Sequence, residues 1–194
     1  MKNMKNTDLV GRALGRVTSS ENIIGKLIDQ GYEKIGQKGI SQTFIKRKDN
    51  KIKTYVLMLS KEFLKGHSHE GLPTQFVELL ATKTKIHTIR MNYEFWENRV
   101  KEINAGKAIL SIRVWKDKPY NSKQFEIKKL TKLGIQKLIR DNDGYFTIEG
   151  AQASIYNIAM NDGLTVDNFM EWLFPKFTNR NKDLAIIHFT DFRY

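Results

Sequence analysis

The stretch Lys83-Thr84-Lys85-Ile86-His87-Thr88-Ile89-Arg90 gathers cations and hydroxyls within a few residues of one another. Lysine supplies a mobile point charge, arginine a planar fork that grips two acceptors, and threonine a hydroxyl that both donates and accepts. Such a set suits a phosphate or a polar carbonyl. The same residues would also make a solvated basic loop leading into a strand, and spacing alone leaves both readings open.

Other groupings carry weaker chemistry. His67-Ser68-His69-Glu70 has metal-ligating side chains, but a closed zinc site needs four ligands and no second histidine pair follows, so a solvated loop is expected there and no metal. Trp115, Tyr120 and Phe125 beside Lys116, Lys118 and Lys123 resemble a surface on which bases stack between cations. The plainer expectation is that Trp115 and Phe125 are hairpin core and the lysines a solvated fringe. Arg113, on the same apolar run as Trp115, joins Lys83, Lys85, Thr88 and Arg90 as a candidate ligand-binding residue.

The stretch 83–90, placed after a helix, resembles the signature Gly-x-Lys-x-x-Thr-x-Arg of ASCH domains, members of the PUA-like superfamily. A second similarity follows in order: Ala159 to Thr165, a helix, Pro175 and the run Ile186-Ile187-His188-Phe189 look like the family's C-terminal half. The resemblance covers roughly residues 55–194. It implies a small β-barrel with flanking helices and a cleft for RNA or a nucleoside. Some similar proteins hydrolyse the acetamide of N4-acetylcytidine with a threonine nucleophile, a lysine base and an acid, and the matching positions are Lys85, Thr88 and Asp162. A threonine hydroxyl attacks only after losing its proton, and a lysine takes that proton only when desolvation or nearby cations lower its pKa. Lys83 and Arg90 are placed to supply that bias. The chain departs from the pattern in three places: Lys83 stands where the signature has glycine, Asp162 where a glutamate is expected, and an extra helix follows over Tyr93 to Lys107.

The elements that must position these residues follow from periodicity and punctuation. Residues 1–18 are expected to be loose. Ser20 caps a helix with Ile23, Ile24, Leu27, Ile28 and Tyr32 on one face and Gly36 or Gly39 as its stop. Thr43–Lys48 and Lys51–Leu59 read as a hairpin turning at Asp49-Asn50. Pro73 suits the first position of a helix bearing Phe76, Val77 and Leu80. Asn92 caps the next helix, which carries Tyr93, Trp96, Val100 and Ile103 and ends at Gly106. Ala108–Trp115 and Gln124–Leu130 form a second hairpin, Ala151–Met160 a helix, and Asn161-Asp162-Gly163 a turn. Thr165 caps a helix that Pro175 ends, and Leu184–Thr190 is the last strand. Strands mixed with helices without strict alternation predict an α+β fold.

Composition bounds what such a fold does. The 194 residues carry a net charge of +12, with +7 in residues 1–60 and +5 in the rest, a balance that attracts polyanions. Cysteine is absent, which excludes disulfides, thiolate zinc sites and a cysteine nucleophile. No signal peptide and no apolar run of about 20 residues is present, so a cytoplasmic protein without membrane association is expected. The expected organisation is a basic N-terminal extension over 1–54, helix plus hairpin, and a PUA-like domain over 55–194. The expected function is binding of RNA or a nucleotide ligand without a cofactor. The alternatives are a small amidohydrolase acting on a modified nucleoside, and a basic module that engages an acidic protein; the oligomeric state stays open.

Overall fold

The computed structural model describes residues 13–18, 26–30, 32–38, 41–46, 52–174 and 183–194. The chain divides into two units, 1–51 and 52–194. In the first, β1 (Ala13–Thr18), β2 (Tyr32–Lys38) and β3 (Ser41–Lys46) form an antiparallel sheet in the order β1-β3-β2. This corrects three expectations. Residues 13–18 are a strand rather than loose chain. Residues 26–29 are helical, but Tyr32 opens β2 and Gly36 lies inside that strand, so neither continues nor stops a helix there. Apolar spacing extended the helix too far because Tyr32 also begins a strand-forming run. The capping position Ser20 and the glycine Gly39 lie outside the described residues.

The second unit begins with β4 (Lys53–Met58), α1 (Phe76–Ala81), β5 (His87–Met91), α2 (Tyr93–Asn104), β6 (Ala108–Trp115) and β7 (Gln124–Leu130). It continues through β8 (Gly134–Arg140), β9 (Phe146–Ile148), β10 (Ala151–Gln152), α3 (Ile155–Asn161), α4 (Val166–Leu173) and β11 (Leu184–His188). The expected hairpin of residues 43–59 does not form: β3 pairs within the first unit, and β4 runs parallel to β6. Tyr55, Leu57 and Leu59 alternate along the strand, and Leu57 stands beside Ile112, both buried. Lys53 and Thr54 pair with Ala108 and Ile109 on the same ladder, so they belong to the second unit and not to the N-terminal extension.

The strands make a three-stranded sheet, β4-β6-β7, and a five-stranded antiparallel sheet, β10-β9-β8-β11-β5. The fold is α+β. β11 lies between β8 and β5, and all five of its residues are buried, as a continuous Leu-Ala-Ile-Ile run requires. Leu110, Ile112, Leu138, Ile158 and Phe169 are fully buried, as is Ile186 of β11 itself. Asn92 caps α2 by accepting from the Phe95 amide, and Gly106 turns the chain beyond it at φ 71°. Pro73 stands before α1 rather than in it, in a bridge to Glu62. Residues 151–152 are a strand, and Ser154 caps a shorter α3. No helix among the described residues is long and apolar enough to cross a membrane.

Candidate functional site

The turn that delivers the motif is built at Lys83. This residue adopts φ 61°, the left-handed conformation for which glycine is the usual choice. The amides of Thr84 and Lys85 then both donate to the carbonyl of Leu79 in α1, 2.9 Å each. Ile86 donates to Asn161 O at 3.0 Å, tying the segment to the end of α3. The turn therefore exists without the glycine. Lys83 itself points to solvent, and its contribution is backbone conformation.

Turning the chain there sends the Lys85 side chain inward. Its ammonium lies 2.5 Å from Asp162 Oδ1 and 2.5 Å from Asp162 O, and 4.2 Å above the Phe76 ring. Both residues are buried. Asp162 caps the C-terminus of α3, where Gly163 at φ 80° lets the chain pass close to the Lys85 stem. Burial pushes the Lys85 pKa down and the Asp162 pKa up, each opposed by the charge of the other.

In β5, Thr88 and Arg90 share one face. Thr88 is buried, and its Oγ1 accepts from Arg90 Nη1 at 2.9 Å. Arg90 also donates to Ile89 O and, through Nη2, to Met58 O at the end of β4, each at 2.8 Å. Burial lowers its pKa, while Asp162 opposes the shift. Lys85, Thr88, Arg90 and Asp162 all line one cavity of about 330 Å³. Its walls include Phe76, Trp115 and Trp172, and Tyr120 completes it. Arg113 lies outside this lining, half-buried on β6, where it donates to Ser111 and to Gln124.

The aromatics of the second hairpin are not core. Trp115 is half-buried, Phe125 is 52% exposed and Tyr120 88% exposed. β7 is the edge of its sheet, so Phe125 near its start gains little cover. Trp115 and Tyr120 instead meet with ring centroids 5.4 Å apart on the solvent side of the cavity. The His67–Glu70 segment is invested in packing. Ser68 gives its amide and hydroxyl to the Glu171 carboxylate, His69 meets Asn168, and buried His67 lies 4.4 Å from the Phe63 ring.

Sequence reasoning missed a layer behind the acid. His87 Nε2 lies 2.7 Å from the Tyr194 hydroxyl, and its Nδ1 faces Asp162 Oδ1 at 3.8 Å. Asn161 donates to the same Tyr194 oxygen at 2.9 Å. The Tyr194 hydroxyl also donates to Asn157 O at 3.3 Å, and His87 Nδ1 makes no hydrogen bond among the described residues. Burial, then the Lys85 charge, hold His87 neutral; burial pushes the Tyr194 pKa up to about 12. His87 stood inside the recognised stretch, so its position was visible and only its partner was not.

Chemically, the site offers a fixed cation pair and one hydroxyl in a partly apolar pocket. Two of the three Lys85 protons go to Asp162, leaving one for a ligand. Thr88 accepts from Arg90, so its own proton is free to be donated. No family model matches the chain, and neither a curated protein nor a solved structure does.

Proposed function

We propose that the second unit binds a nucleobase-containing ligand, RNA or a nucleotide, in the cavity around Lys85, Thr88 and Arg90. The observation that carries this reading is the pairing of a buried polar floor with the Trp115–Tyr120 aromatic pair in one cavity. A base stacks on aromatic faces at little cost in sequence preference, while fixed donors below recognise its carbonyl edge or a phosphate. A buried ion pair such as Lys85–Asp162 is a poor route to stability, so its presence in a cavity favours a functional role. The resemblance to ASCH domains supports the same reading, with the two sheets as a PUA-like barrel and a cytoplasmic setting.

A second reading is amide hydrolysis on a modified nucleoside such as N4-acetylcytidine. The burial of Lys85 favours it, because burial lowers the lysine pKa as a general base requires, against the opposing charge of Asp162. Thr88 Oγ1 would bond to the acetyl carbon as Lys85 takes its proton, and Arg90 would stabilise the developing charge. The C–N bond then breaks with that proton passing to the leaving amine, and water releases acetate from the threonine ester.

Titrating the full chain with RNA, with nucleoside monophosphates and with an acidic polypeptide over a range of salt separates the readings. RNA binding that weakens steeply with salt is the expected result. Preference for the acidic polypeptide would replace nucleic acid by a protein partner. Release of acetate from N4-acetylcytidine, abolished by Thr88→Ala, would establish the enzyme.

A further inference from the structure

We infer that the cavity is one of two adjoining subsites and that the ligand is a single-stranded RNA segment of at least two nucleotides, not a free nucleoside. This rests on the nucleobase reading of the first cavity. A second cavity of about 540 Å³ shares Leu59, Ser60, Leu64, Trp115 and Pro119 with the first. Trp115 thus stands between the two and contributes to both linings. An indole placed in this way offers a stacking surface to successive bases of a strand. A lone nucleoside seated on the polar floor would leave the second cavity unused.

The charges of the second cavity fit a phosphodiester link. Lys61, Lys65, Lys116 and Lys118 line it, against Glu62, Glu70 and Asp117. Lys61 is committed to the Lys116 carbonyl at 2.9 Å, and Glu70 accepts from the Gly66 amide at 2.8 Å. Among the described residues, the ammonium groups of Lys65, Lys116 and Lys118 form no ion pair, and Lys65 and Lys118 are exposed. Flexible lysines serve a backbone whose phosphates are not held in one geometry. Glu62 and Asp117 keep the groove only mildly positive, which suits a strand held by stacking as much as by charge.

The experiment compares the full chain's affinity for each ribonucleoside monophosphate with that for the matching homodinucleotide and homohexamer, at fixed salt. The dinucleotide is expected to bind roughly tenfold tighter or more, since a second stacked base contributes on that order. Lys65→Glu combined with Lys118→Glu should shrink this gain to a few-fold. Equal affinity for monomer and dimer overturns the second subsite while leaving the nucleobase reading intact. A length gain that the charge-reversed variant retains in full also overturns it. No binding of any monomer or oligomer removes the nucleobase reading and this inference together.

Discussion

The ammonium of Lys85 and the carboxylate of Asp162 meet at 2.5 Å with neither exposed to solvent, although 77 residues separate them in the chain. Burial works against both charges, and their mutual attraction only partly offsets it. Removing one partner should therefore be worse than removing both. Lys85→Met or Asp162→Leu alone is expected to cost about 3–5 kcal/mol, and the double variant to regain much of that loss. Urea unfolding of the three variants measures it, and additive single losses would show that the two groups do not interact.

Thr88 and Arg90 should separate chemistry from grip. Arg90 bonds the Thr88 hydroxyl and also ties β5 to the end of β4 through Met58 O. Thr88→Ala removes one hydroxyl and should leave RNA affinity within a few-fold, while abolishing any amide hydrolysis. Arg90→Ala removes a planar donor facing the cavity, so affinity should fall at least about tenfold. Titration of both variants with one RNA decides this, and a larger loss for Thr88→Ala would reverse the assigned roles.

The motif was legible because its chemistry is local. Lys83 to Arg90 are consecutive, Asn92 announces the following helix, and the 108–130 hairpin alternates cleanly. What was not legible depended on partners distant in sequence. Residues 53–58 read as half of a hairpin because nothing in a local window shows that Ala108–Arg113 would pair beside them. Trp115 and Phe125 read as core because aromatics usually are; the edge position of β7 leaves Phe125 exposed, while Trp115, the last residue of β6, is half-buried in the cavity lining. The strand Gly134–Arg140 escapes a local reading because its buried positions are Gly134, Gln136, Leu138 and Arg140, with polar residues where alternation would put apolar ones. His87 appeared as part of a basic stretch, whereas burial against Tyr194 makes it neutral.

The division of the chain at 51/52 predicts that residues 52–194 fold alone. β4 begins at Lys53 and its sheet partners all follow it in sequence, so the cut leaves every ladder of the second unit intact. The truncated protein should unfold in one cooperative transition in calorimetry. Loss of that transition would show that the first unit completes the core of the second. Because residues 1–51 carry +6 of the net charge of +12, the same truncation should also reduce the salt dependence of RNA binding.

His188, at the end of β11, should make stability fall in mild acid. The ring is fully buried with neither nitrogen hydrogen-bonded, and it packs near His87, Phe192 and Tyr194, with Arg193 as its charged neighbour. Burial, reinforced by Arg193, lowers its pKa from 6.5 to about 4. A histidine that binds its proton less readily in the folded state contributes stability above its unfolded pKa. That contribution is lost as pH falls from about 6.5 through about 4. The amount at stake is on the order of 3 kcal/mol. His87, also held neutral by burial, adds in the same direction, while Asp162, whose pKa is raised, stabilises the fold as pH falls. Comparing wild type with His188→Leu cancels both of those contributions. Urea midpoints measured from pH 7 to pH 4 should drop steeply for the wild type and more gently for the variant, and parallel curves would show that His188 does not titrate between the two states.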